Sequence, residues 1–548
     1  MPRAFLPLVA LVGILLAFAS SASAGTSRTF VLRGHGWGHA IGMGQWGAYG
    51  YALNHGWSYS KILNHYYPGT SVGHVATTRR VRVLLTSGRT SFTLGSASPI
   101  TVGGQTFPAG TYTVRRNAAH TRIRFAGKSF TSPATFRSSS TLRVDRSPFR
   151  GTIQVYLSGR LSVVNSLRVD DYVRGVIANE MPWSWHQEAL RAQAVAARSY
   201  GLAVGGHCGN GVIGANVLCR SVSDQVYNGV ASEKPSTNAS VTATAREVRR
   251  FGGELAVTYF SSSSGGLTAS VADEWGDTTK PYLASVVDEG DAISIHHNWG
   301  PGDPEVDCVG TTPDCVWRGS SLARRLGLGA LNDLRVVSRN GSRRVARADA
   351  DTGSSTRSYT GAELRTKLGL RSTWFSIGAL RLATNRARVV FGKRVRVDTL
   401  VRGVANTTLQ RRRSGESWTN LDSARGIESR LLKPAKTTSY RLRSGPVSTA
   451  RRRVVVAAAI YFSSKQPAAG ALRGTVRPLS LAGQTVFVDR RRADGTWRAG
   501  IASATLRADG SWRAAFTVRP GVYRARIVPP RASGLAMGLS PTLTVRAG

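Results

Sequence analysis

The apolar positions of this chain change period several times along its length. After Arg3, residues 6–19 form a nearly unbroken apolar run that stops ahead of Ala22-Ser23-Ala24. A positive start, a short apolar stretch and small residues in an A-x-A pattern predict a secretory signal over residues 1–24, with a retained anchor helix as the alternative. Between residues 79 and 165, the runs 81–85, 111–114 and 152–157 are β-rich and separated by Gly and Ser turns, which predicts short strands. From Trp185 to Ala203 the period lengthens. Leu190, Ala194, Ala197 and Gly201 share one helical face, and Ser184 offers an N-cap ahead of Gln187 and Glu188. Mixed helices and strands continue to about Ile377.

Past Gly378 the helical period is lost and a weak repeat begins. Residues 409–413 lead across a turn to Trp418, and residues 488–492 lead across Asp494-Gly495 to Trp497. Tyr440-Arg441 and Tyr523-Arg524 close the two copies. Short strands at this spacing predict two β-sandwich (Ig-like) modules, 379–454 and 455–548, with no candidate catalytic cluster. The expected fold class is α+β: a mixed domain over 25–378 with a β-rich subdomain, followed by the two modules.

At 548 residues the chain is too long for one core. No later segment has the ~18 consecutive apolar residues of a membrane helix, so the mature chain is expected to be secreted, without a transmembrane segment. Lys and Arg outnumber Asp and Glu by 73 to 30, for a net charge of +43. Export makes nucleic acid a poor partner, leaving anionic cell-wall polymers and peptidoglycan carboxylates as the polyanions to which such a surface clings. A general preference for Arg codons produces the same charge, which therefore assigns no function by itself.

The four cysteines fall as two local pairs, Cys208 with Cys219 and Cys308 with Cys315. In an oxidising compartment an even count favours two disulfides, each pinning a loop of about ten residues at up to ~3 kcal/mol. His207 beside Cys208 raises zinc as the alternative, but one His and two Cys leave a tetrahedral set incomplete, so no metal or cofactor is expected.

Two segments carry candidate chemistry. Residues 33–48 hold six glycines with His35, Trp37, His39, Gln45 and Trp46. Glycines let a backbone take positive φ and approach a ligand closely, while the His, Gln and Trp side chains suit sugar hydroxyls and ring faces. A packed Gly-rich turn is the plain alternative. In residues 167–183, Glu180 follows an apolar stretch and precedes Met181-Pro182. A carboxyl among apolar neighbours resists ionisation and gains the character of a general acid, unless Arg174 lies close enough to oppose that. A helix-cap role is the alternative.

The stretch from Tyr172 to Pro182, continued by Glu188-Ala189-Leu190-Arg191-Ala192-Gln193-Ala194-Val195-Ala196-Ala197-Arg198-Ser199-Tyr200, resembles the central signature of the SpoIID/LytB family, named for stage II sporulation protein D and an amidase enhancer. Asp224-Gln225-Val226-Tyr227-Asn228-Gly229 and residues 259–268 resemble two further motifs of that family, and residues 365–375 resemble its closing strand. The resemblance covers about residues 29–377. It implies a peptidoglycan lytic transglycosylase that cuts between N-acetylmuramic acid and N-acetylglucosamine and leaves 1,6-anhydro ends, with Glu180 as general acid and then base. One carboxyl suffices because the attacking 6-hydroxyl is tethered to the same sugar, whereas an ordinary glycosidase uses two. The rival implication is a non-catalytic wall protein whose partner is a cell-wall amidase. Some sporulation members prefer strands stripped of stem peptides. His35, His39, Gln45, Gln193, Arg198, Tyr200, Ser263, Ser264 and Thr268 are candidate substrate contacts.

Three departures stand out. The Gly-His-Trp segment sits near the start of this chain rather than near the end of the domain, so the motif order is circularly permuted, and residues 30–32 are expected to continue spatially from residues 375–377 as one strand. Ala40 and Gly44 replace the usual Gly and Ser. His207, Cys208 and Cys219 lie where some members hold zinc, at a different spacing.

Overall fold

In the computed structural model, residues 26–301, 315–463 and 470–546 are described; the expected signal at 1–24 and Cys308 lie outside them. The strand Thr26–His35 explains the layout. Its centre is continuously apolar because both faces are covered. Phe30 and Leu32 enter a core with Trp317, Leu322 and Phe375, while Val31 enters a second core with Leu380, Leu442 and Val456. The strand pairs antiparallel with Phe375–Thr384, setting Phe30 opposite Ala379 and Leu32 opposite Ile377. The two segments are thus neighbours, as the permuted order requires, but as adjacent antiparallel strands rather than as one continued strand.

That sheet runs on through Val395–Arg402 and Gly426–Leu432. The boundary expected at 378/379 therefore falls inside the strand Phe375–Thr384, and the one at 454/455 inside Arg452–Ala457. Propensity and turn signals mark texture, not the sharing of a sheet between neighbouring units. A second sheet, containing Thr408–Arg413, Thr438–Ser444 and Arg452–Ala457, faces the first across the core of Val395, Leu409, Tyr440 and Val454. Beyond it, Trp512 anchors another core between two further sheets. The sequence repeat has a structural counterpart: Arg411 pairs with Tyr440 in one copy and Arg490 with Tyr523 in the other. The chain as a whole is α+β and rich in strands.

Residues 80–168 build the β-rich part, including the strands Arg80–Arg89, Gly110–Arg116 and Thr152–Ser158 that the sequence pattern marks. On its core rests the helix Val169–Glu180, through Tyr172, Val173, Val176 and Ile177. The sequence reading passed over this helix. Asp170 and Asp171 in its first turn sit at the positive end of the helix dipole. The next helix, Gln187–Ala203, begins two residues later than expected, because Trp185 N donates to Pro182 O in a turn. Its N-cap is His186, whose side chain accepts from Glu188 N, and not Ser184. Ala194 and Ala197 face the β-rich core while Ala189, Leu190 and Val195 face a third core with Ile41, Met43 and Tyr66. Small side chains on every face suit a helix held between two cores. Residues 365–368 belong to the helix Gly361–Leu368, started by a Thr360/Glu363 capping box, so the expected closing strand begins only at Phe375. No helix among the described residues is long and apolar enough to cross a membrane.

Candidate active site

Glu180 is the last residue of its helix, where the carbonyl ends of the dipole disfavour a negative charge. Its place is fixed by the segment 224–228, which docks along the helix. Asn179 Nδ2 donates to Gly175 O and Val226 O, Asn228 Nδ2 donates to Asn179 Oδ1, and Tyr172 Oη donates to Gln225 Oε1 at 2.7 Å. Val226 N then donates to Glu180 Oε1 at 2.8 Å. Burial pushes the Glu180 carboxyl up from the usual carboxylate range, opposed by the Val226 amide and by the Gln45 side chain. Gln45 Nε2 lies beside the carboxyl but outside hydrogen-bond geometry, and has no other partner. Arg174 is turned away, donating to Asn238 O and Thr242 Oγ1, and exerts no pull on Glu180.

A cleft of about 830 Å³ opens over Glu180. Among its lining residues are Gln45, His39, Tyr200, Trp37, Trp275 and Tyr259. Trp37 and Trp275 are 39 % and 51 % exposed, an unusual state for indoles and the state a sugar-stacking platform requires. His39 is neutral: burial first, then the nearby Arg365 cation, pushes it down to about 4. Its Nδ1 accepts from Ile41 N at 3.0 Å, which leaves Nε2 to donate to the Phe260 carbonyl.

Asp224 and Arg365 are charged lining residues that the sequence pattern does not single out as contacts. Asp224 is a second carboxylate in the cleft, and its side chain is buried. It accepts from Cys219 N at 2.6 Å, His207 N at 3.1 Å, Tyr200 Oη at 3.2 Å and the His207 ring. Burial and this carboxylate raise the Tyr200 phenol, keeping it a donor. Asp224 opens the Asp-Gln-Val-Tyr motif, which was the available signal. The other is Arg365, on the helix Gly361–Leu368. Its guanidinium is desolvated near Glu274 and has no hydrogen-bond or ion-pair partner among the described residues.

Several expected contacts are instead interior. Ser263, Ser264 and Thr268 are wholly buried. Ser263 Oγ donates to Asp291 Oδ2 at 2.9 Å, Ser264 Oγ to Asp288 Oδ2 at 2.7 Å and Thr268 Oγ1 to Val286 O. They therefore serve a buried carboxylate pair and a loop rather than a ligand. Arg198 is also wholly buried and donates to Asp170 Oδ1 at 2.6 Å and Glu247 O at 2.9 Å. Gln193 sits in the interior of the same helix. His35 leans on Trp374 with ring centroids 4.6 Å apart and does not line the cleft. Trp46 packs on Trp185. The glycines of residues 33–48 approach protein rather than ligand: a Cβ on Gly36 would lie 2.6 Å from Ser263 O, and one on Gly38 2.6 Å from Ser261 Cβ. Both have positive φ, as does Ala40 at 57°, a strained value for alanine that accounts for glycine being usual there.

Cys208 and Cys219 are joined in a disulfide with Cα atoms 5.1 Å apart, so their sulfurs are committed to each other, and the His207 ring is hydrogen-bonded to Asp224. Among the described residues no group of three or more His, Cys, Asp or Glu side chains is placed to hold a metal ion.

Residues 157–251, which include both Glu180 and Asp224, match the family model described as Stage II sporulation protein. The chain is 40 % identical over 128 residues to an uncharacterized protein of Brachyspira hyodysenteriae, covering 23 % of this chain and 33 % of that one. It is 32 % identical over 189 residues to the Amidase enhancer of Bacillus subtilis, covering 33 % of this chain and 25 % of that one. Stage II sporulation protein D of the same organism is 30 % identical over 170 residues, 28 % of this chain and 47 % of that one. The matched part thus spans between a quarter and just under half of each of these relatives. Over residues 157–251, which hold Glu180 and Asp224, the chain is similar to the SpoIID/LytB family.

Proposed function

We propose that the protein acts outside the membrane on peptidoglycan, as a lytic transglycosylase that cleaves the bond between N-acetylmuramic acid and N-acetylglucosamine. The observation that carries this reading is Glu180: a carboxyl desolvated at a helix C-terminus, at the base of a cleft whose exposed Trp37 and Trp275 suit pyranose faces. Neutral Glu180 protonates the leaving glycosidic oxygen as the C–O bond breaks. The resulting carboxylate then accepts the proton of the muramic 6-hydroxyl as that oxygen closes on C1, giving a 1,6-anhydro end without water. Tyr200 and His207, both held by Asp224, supply polar contacts along the strand. Arg365 offers a cation for a carboxylate of the muramic lactyl group, free on strands that lack stem peptides.

The second reading is a wall-binding protein that stimulates an amidase, favoured by the likeness to the Amidase enhancer. Purified glycan strands separate the two. Mass spectrometry of the products should reveal anhydro ends, and Glu180→Gln should lower the rate by about 10²–10⁴ while sparing wall affinity. Ends one water heavier would assign hydrolysis, with Asp224 as the second carboxylate. Undiminished cutting by the Glu180 variant would refute the assignment, and wall binding without new ends would favour the enhancer.

A further inference from the structure

A second pocket, of about 370 Å³, lies remote from the cleft, where the strand Thr26–His35, the helix Gly319–Leu326 and the strand Arg452–Ala457 meet. Arg28, Arg318 and Arg452 line it, and no acidic residue does. Arg381 is the cross-strand partner of Arg28. These cations disfavour one another: after desolvation, Arg381 is the next cause lowering Arg28, opposed in part by Asp351 outside the pocket lining, and Arg28 is the next cause lowering Arg452. None of the four forms an ion pair within 4 Å among the described residues. The Nε atoms of Arg28, Arg381 and Arg452 are buried without a hydrogen-bond partner. Among the described residues, the group's one side-chain hydrogen bond runs from Arg28 Nη2 to Asn332 Oδ1 at 2.6 Å. Gly319 and Ser320, the first two residues of their helix, also line the pocket. That helix has no side-chain N-cap and no acid in its first turn.

Gathering like charges around one pocket, with Arg28 and Arg452 partly desolvated and a helix N-terminus left uncapped beside them, is unfavourable unless an anion completes the set. Planar guanidinium forks and helix N–H groups are the donors that suit tetrahedral oxyanions. We propose that this pocket is a phosphate-binding site that docks the protein to a phosphate-bearing ligand independently of the catalytic cleft. Arg28 and Arg452 supply the forks and the Gly319–Ser320 turn supplies the backbone donors. A phosphodiester wall polymer and a free phosphate ion present the same chemistry to it.

The test titrates the full chain, at constant ionic strength balanced with chloride, with inorganic phosphate and separately with a glycerol phosphate oligomer. Calorimetry gives affinity and thermal unfolding gives the accompanying rise in Tm. The wild type should bind with a Tm rise that chloride does not reproduce. Arg28→Gln with Arg452→Gln should weaken binding at least about tenfold, whereas Arg491→Gln with Arg492→Gln, an equal loss of charge on an exposed strand end, should leave it unchanged. Binding of the oligomer at least as tight as phosphate assigns a polymer as the source, and binding of phosphate alone assigns the free ion. Equal weakening by both double variants, or no phosphate-dependent binding, overturns the proposal. Should the pocket pair fail to fold, Arg452→Gln alone gives the same comparison.

Discussion

Replacing Asp288 by asparagine should flatten the pH dependence of stability. Asp288 is wholly buried, accepts from Tyr66 Oη at 2.6 Å and from Ser264 Oγ at 2.7 Å, and thereby ties the first helices to the loop 259–268 that floors the cleft. Loss of water, and then the neighbouring Asp291, push its carboxyl up to about 7. An aspartate in the unfolded chain titrates near ~3.9. Between these values the folded chain keeps a proton that the unfolded chain has released, so stability falls as pH rises from about 4 to about 7 and levels off above. A gap of about three pH units at ~1.36 kcal/mol each bounds the loss at about 4 kcal/mol. His297, raised chiefly by its hydrogen bond to Asp291, acts in the same direction at higher pH: its contribution is full below the unfolded value and is lost as pH climbs through the folded one. Asp288→Asn removes the first titration and retains the second. Urea unfolding at several pH values from 4.5 to 8 should therefore give a variant-minus-wild-type difference that moves in the variant's favour as pH rises. Parallel curves for the two proteins would refute the reasoning.

Other perturbations follow from the packing. Gly50→Ala would place a Cβ 2.0 Å from the backbone oxygen of Gly290, and should cost about 1–3 kcal/mol in denaturant titration. Arg198→Ala leaves Asp170 without its partner and should destabilise by about 3–5 kcal/mol, with the residual folded protein showing unchanged affinity for glycan strands, since the side chain does not line the cleft. Breaking the disulfide through Cys208→Ser with Cys219→Ser should cost up to ~3 kcal/mol and also slow cleavage, because Cys219 N and His207 both hold Asp224. Reduced stability with full cleavage would detach that loop from catalysis.

What could be read from the sequence was what local pattern encodes. The strands at 81–85, 111–114 and 152–157 and most of the helix ending at Ala203 follow from period alone, and the proximity of Cys208 to Cys219 in the chain anticipates their bond. The apolar run and Met181-Pro182 around Glu180 suit a raised carboxyl or a helix cap alike, and its role as an acid is what the resemblance to the SpoIID/LytB family implies. The misassigned contacts share one cause. A Ser/Gly loop looks made for solvent or sugar, yet the carboxylates that Ser263 and Ser264 serve lie 28 and 24 residues further along, in a 3₁₀ turn and just before it. Arg198 is a candidate contact in the sequence for the same reason: its partner Asp170 is 28 residues away. Asp224 and Arg365 became visible only when two distant segments met at one cleft. Domain limits failed where a strand belongs to one texture and its partner to another, as at Phe375–Thr384.

The pairing of Thr26–His35 with Phe375–Thr384 also dictates an order of events during synthesis. The chain leaves the ribosome from its N-terminus, so one edge of the central sheet waits about 350 residues for its neighbour; at roughly 5–20 residues per second that is about 20–70 s. Phe30 and Leu32 gain part of their core only when Trp299, Trp317 and Leu322 follow, and Val31 has none of Leu380, Leu442 and Val456 until the interval is over. A holding factor acting on the nascent chain, or a translocation apparatus that keeps it extended, would meet this apolar triplet early and release it last.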